Sequence, residues 1–121
     1  MKTEQEWLAM PRRELDAAIH ELLTGCECEY LEGAREYVYY TPEQPRHTNI
    51  VPHYSTDLND TVKLCRFDGD GVTALTQNNV DTVFWVGSVT NRNGEVCYHE
   101  EDDPRIAILL AFLEAQEEVA T

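Results

Sequence analysis

A chain of 121 residues, 42% of them apolar, is the size of one domain and carries enough apolar side chain for one core, so residues 1–121 are expected to fold as a single unit. Nine Lys and Arg face 23 Asp and Glu, a formal net charge of −14, which argues against direct binding to nucleic acid or to anionic membranes and leaves basic protein surfaces as the natural partners. The longest apolar run, Ile106 to Leu113, is eight residues, too short to span a bilayer. Residues 1–25 hold no apolar secretory segment, so the four cysteines are expected as reduced thiols in a cytosol.

Residues 4–24 predict a first helix, with Pro11 in a first helical turn and Trp7 and Leu8 packing ahead of it. Leu15, Ala18, Ile19, Leu22 and Leu23 recur at helical spacing, which assigns Arg12, Arg13, Glu14, Asp16 and Glu21 to the wet side. Gly25 suits the left-handed position that ends a helix. Cys26, Cys28 and Tyr30 alternate with Glu27 and Glu29, and after a turn at Glu32-Gly33 the run Arg35 to Tyr40 returns, predicting a hairpin. Pro42, Pro45 and Pro52 mark residues 41–53 as a loop.

The stretch Tyr54-Ser55-Thr56-Asp57 reads as a helix start: Ser55 and Thr56 are N-cap residues, Asp57 favours the positive end of the dipole, and Tyr54 in front suits a staple. Leu58, Val62 and Cys65 then extend a helix over about residues 57–67, broken by Asp68-Gly69-Asp70-Gly71. Residues 82–90 are β-branched and aromatic, the pattern of a central strand, and Glu95 to His99 return as its partner after a turn at 91–94. Asp103 and Pro104 open a last helix, 104–119, whose apolar residues spread beyond one face, so it is either deeply packed or covered by a second copy. The order α-β-β-α-β-β-α predicts an α+β domain: a four-stranded, mainly antiparallel sheet with three helices.

Chemical motifs are few. Cys26, Cys28, Cys97 and His99 lack the paired spacing of a zinc site, and no metal or other cofactor is expected. The 68–71 stretch fails as a calcium loop, because its register puts Arg66 and Gln77 where carboxylates are required. No nucleophile motif or phosphate-binding glycine loop is present, so no catalysis is expected. The acidic run is the feature with surplus: Glu95, Glu100, Glu101, Asp102 and Asp103 include four consecutive carboxylates, more than one helix cap needs. It reads either as a solvated loop or as an imitation of a phosphate row.

Arg13-Glu14-Leu15-Asp16 in the first helix, Tyr54-Ser55-Thr56-Asp57 and a terminal Ala- and Leu-rich helix resemble the phage ABA sandwich domain, a family of small phage proteins. The resemblance implies a phage or prophage origin and a sheet with helices on its faces, and it brings no catalytic mechanism. The segment cut short by residues 68–71 and the 41–53 loop depart from the family pattern. The expectation is a protein that inhibits a bacterial defence system, of the anti-CRISPR type, in the cytoplasm of an infected host, with Glu95 and Glu100 to Asp103 against a basic surface of the host complex. Sequestration of a nucleotide signal is the alternative and needs Arg46, Arg92, Arg105, Tyr54, Phe84 and Trp85 to converge; an accessory or assembly role without defence activity is the third.

Overall fold

The computed structural model describes residues 2–65, 70–76 and 83–120. The elements are α1 (Glu4–Ala9), α2 (Arg12–Thr24), β1 (Cys28–Leu31), β2 (Glu36–Thr41), β3 (Gln44–Ile50), α3 (Leu58–Thr61) continued by a 3₁₀ turn (Val62–Leu64), β4 (Gly71–Thr76), β5 (Val83–Thr90), β6 (Val96–Glu101) and α4 (Pro104–Ala120). The domain is α+β, but its strands form two three-stranded antiparallel sheets, β1-β2-β3 and β4-β5-β6, in place of one four-stranded sheet. The described residues hold four α-helices in place of three.

The differences have local causes. The first helix is interrupted at Met10 and Pro11: Thr3 caps α1 in a reciprocal box with Glu6, and Pro11, with φ −54 and ψ 140, is the cap of α2 rather than part of its first turn. Residues 41–53 are not all loop. Thr41 pairs with Gln44 across Pro42-Glu43, and β3 runs along the exposed edge of its sheet, where Pro45 costs little because its missing N–H falls in an irregular stretch of the ladder. β4 carries too short a pattern to stand out, and pairing with β5 makes it a strand. The helix expected over 57–67 covers only Leu58–Thr61 before tightening into the 3₁₀ turn, and Cys65 lies beyond it in extended backbone. Arg66 to Gly69 and Gln77 to Thr82 lie outside the described residues, so the first half of the Asp-Gly repeat and the first residue of the expected 82–90 strand do too.

Other expectations hold. Gly25 ends α2 at φ 77, the hairpin pairs Cys28 with Tyr39, and β5 is the central strand of its sheet. Along β5 and β6, Gly87, Val89, Cys97 and His99 face α4, while Val96 and Tyr98 face outward and are 43% and 63% exposed. α4 lies so close to β5 that a Cβ built on Gly87 would stand 2.4 Å from the Ala107 carbonyl carbon. Residues Ala107 to Leu113 and Ala115 are buried within the chain itself, alongside Leu15, Ile19, Val51, Tyr54, Leu64 and Val89. The breadth of the apolar surface on α4 is thus accounted for by the chain's own core.

Candidate functional site

The Tyr54-Ser55-Thr56-Asp57 stretch belongs to the interior of the fold. Asp16, assigned above to the wet side of α2, is fully buried: its carboxylate takes Arg13 Nη1 at 2.8 Å and the Ser55 backbone N–H at 2.8 Å. Arg13 also donates to Glu36 at 2.6 and 2.9 Å, to the Val51 carbonyl at 2.7 Å and to the Pro52 carbonyl at 3.2 Å, so one guanidinium joins α2, β2 and the chain entering α3. Burial pushes the Glu36 carboxyl up, but the hydrogen bonds and charge of Arg13 outweigh it and hold the group below its ordinary range. One turn along α2, His20 Nδ1 lies 2.8 Å from the Tyr54 hydroxyl, and the His20 ring contacts Tyr39 with centroids 4.1 Å apart. Burial pushes the Tyr54 hydroxyl pKa up and the His20 pKa down.

Ser55 and Thr56 do not cap α3. Ser55 is buried with its Oγ turned to the Arg12 carbonyl, and Asp57 supplies the cap by accepting the Asn59 N–H at 2.9 Å. Asp60 closes the loop behind it, accepting the His53 N–H at 2.8 Å and Lys63 Nζ at 2.7 Å. The segments Arg13 to Asp16 and Tyr54 to Asp57 therefore bind each other.

The acidic residues divide. Thr56, Asp57 and Leu58 face Asp102, Asp103, Pro104 and Arg105 across an open groove of about 620 Å³. Arg105 spans it, donating to the Thr56 carbonyl and to both Asp103 oxygens. Asp103 caps α4 through the Arg105 N–H, and the Arg105 side chain holds its carboxyl below the ordinary range. Glu100 and Asp102 are exposed and meet no cation among the described residues, whereas Glu101 is half-buried on the opposite face of β6 from Glu100. Glu95 stands at the other end of β6, about 15 Å or more away at about 3.3 Å per residue. The run is thus one exposed carboxylate lining a groove, a second exposed one two residues earlier, one cap, one inward group and one distant group.

The residues named for a nucleotide site do not gather. Tyr54 is buried in the core, and Arg92 and Arg105 sit beyond opposite ends of β6. Among the described residues the four cysteines form no disulfide, and burial pushes Cys28 and Cys65 up to about 11. The group that does converge is Glu4, His99 and Glu101, with ligand atoms within 4.8 Å of one another. Sequence order hides it, because Glu4 lies 95 positions before His99. No helix among the described residues is long and apolar enough to cross a membrane. Comparison with protein families, with curated proteins and with solved structures finds no match.

Proposed function

We propose that this chain is a phage or prophage protein that acts by binding, without catalysis, and blocks a host defence complex by placing carboxylates where the complex holds a nucleic-acid backbone. The observation that carries this reading is the pair of exposed carboxylates, Glu100 and Asp102, which meet no cation among the described residues, on a chain with net charge −14. Asp102 lines the Asp57–Asp103 groove and Glu100 lies two residues before it, so acidic side chains gather where the β6–α4 turn meets α3. The absence of catalysis is supported by Ser55, whose Oγ is turned to a backbone carbonyl rather than to an imidazole.

The test is binding to a panel of purified nucleic-acid-guided defence complexes, at low and at moderate salt. Wild type should associate fast at low salt, weaken as salt rises and compete with the nucleic acid of its target. Glu100→Lys with Asp102→Lys should weaken binding strongly, while Glu95→Lys, at the far end of β6, should weaken it less. Equal binding by wild type and the double reversal would remove the acidic face from the function.

A further inference from the structure

His99 stands between carboxylates from three elements. Its Nε2 lies 3.0 Å from Glu114 Oε2 on α4, and its Nδ1 lies 3.4 Å from Glu4 Oε1 in the first turn of α1. Glu101, two residues on and on the same face of β6, brings a third carboxylate, and Glu4, His99 and Glu101 offer ligand atoms all within 4.8 Å of one another. The imidazole pairs with Glu4 and Glu114 and makes no ion pair with Glu101. Glu4 and Glu101 are thus brought together as like charges, and among the described residues neither pairs with a Lys or Arg. The nearby ammonium of Lys2 sits over the Trp7 ring, 5.4 Å from its centroid.

We infer that Glu4, His99 and Glu101 form a binding site for a divalent transition-metal ion, with Glu114 as the residue that orients the imidazole. One imidazole and two carboxylates are a donor set for Zn²⁺, Mn²⁺ or Fe²⁺, whereas Mg²⁺ and Ca²⁺ favour oxygen ligands throughout. The two carboxylate charges balance the ion. Glu114 on the second ring nitrogen is the arrangement that fixes the tautomer of a metal-bound histidine and raises its basicity. Coordination brings adjacent ligand atoms to about 3–3.5 Å, and the exposed Glu4 side chain can close that distance by rotation. A cavity of about 210 Å³, walled by Trp7, Leu110 and Leu113, adjoins Glu4 and His99. The metal would tie α1 to β6.

The test is calorimetric titration of the chelator-treated full chain with Zn²⁺, Mn²⁺ and, as a control, Mg²⁺, alongside elemental analysis. One ion should bind per chain, Zn²⁺ more tightly than Mn²⁺ and Mg²⁺ not measurably, with affinity falling as pH drops because protons compete for the imidazole. Glu101→Gln leaves both His99 ion pairs in place, so the metal-free variant should melt like wild type yet bind Zn²⁺ at least about tenfold more weakly; Glu114→Gln should cost about 10- to 100-fold. Absence of saturable Zn²⁺ or Mn²⁺ binding, or Zn²⁺ binding unchanged in Glu101→Gln, would overturn the site. So would Zn²⁺ binding abolished by Cys26→Ser with Cys28→Ser but retained in His99→Ala. None of these outcomes depends on a host partner.

Discussion

The carboxylate of Asp16 accepts the backbone N–H of Ser55 at 2.8 Å, across 39 positions of sequence. That bond, with the Arg13 ion pair on the second Asp16 oxygen, holds the chain entering α3 against α2. Asp16→Ala leaves the Ser55 N–H without its acceptor and Arg13 without one of its two carboxylates, so it should lower stability by about 3 kcal/mol, measured by denaturant unfolding. Ser55→Ala keeps the backbone N–H and loses only a 3.4 Å hydroxyl contact, so it should cost less than about 1 kcal/mol. A larger effect for Ser55→Ala than for Asp16→Ala would reverse this account.

Gly87 is fixed by space rather than by backbone angle. An added Cβ would lie 2.4 to 2.5 Å from the backbone atoms of Ala107 and Ile108, and neither strand nor helix backbone can turn aside as a side chain would. Gly87→Ala should cost about 3 kcal/mol or more, or leave no soluble folded protein. A Gly87→Ala protein with wild-type melting temperature would mean that α4 does not sit where described.

Asp57, not its neighbours, governs the start of α3. Asp57→Ala should cost about 1 kcal/mol through loss of the Asn59 N–H acceptor. Thr56→Ala, at an exposed position, should be nearly silent in the same unfolding measurement.

His20 gives the fold a pH dependence with a defined direction. Burial lowers its pKa from 6.5 in spite of the neighbouring Glu21, and its Nε2 is buried with no hydrogen-bond partner among the described residues. The unfolded chain thus takes up a proton that the folded chain refuses. Stability is fully present above pH 6.5 and falls as pH drops below it towards the folded value. Loss from Asp60 and Asp103, whose pKa values lie below 3.8, comes in a separate and more acidic window. His20→Gln should flatten the stability profile just below pH 6.5 and leave the acid limb in place; an unchanged profile would shift the cause elsewhere.

Periodic segments were legible in the sequence because local chemistry decides them: α2 to its Gly25 terminus, the β1–β2 hairpin, β5 as a central strand and the Asp103-Pro104 start of α4. The split into two sheets was not, since β3 and β4 are made strands by their partners rather than by their own patterns. Asp16 shows the same limit at the scale of one residue. A helical wheel puts a carboxylate on the wet face, and only the fold supplies the guanidinium and amide that make its burial favourable. The Glu4–His99–Glu101 cluster, drawn from α1 and β6, is likewise a product of tertiary placement.

The last prediction follows from the charge imbalance. Arg13, Lys63 and Arg105 already hold carboxylates at 2.6 to 2.8 Å, and those bonds are too short to be screened much by added salt. What salt does act on is the longer-range repulsion among the remaining carboxylates, since 23 acidic side chains face nine basic ones. Folding brings those charges closer together than they are in the open chain, so the repulsion opposes the folded state. Raising ionic strength from about 0.01 M to about 0.15 M shortens the screening length from about 30 Å to about 8 Å and should raise the melting temperature by a few degrees, on the order of 1 kcal/mol. Glu95→Lys, an exposed site at the far end of β6, should raise it at low salt, and this gain should shrink as salt increases. A melting temperature that falls with salt would mean that longer-range attractions between opposite charges outweigh the repulsion; Glu95→Lys should then give no gain at any ionic strength.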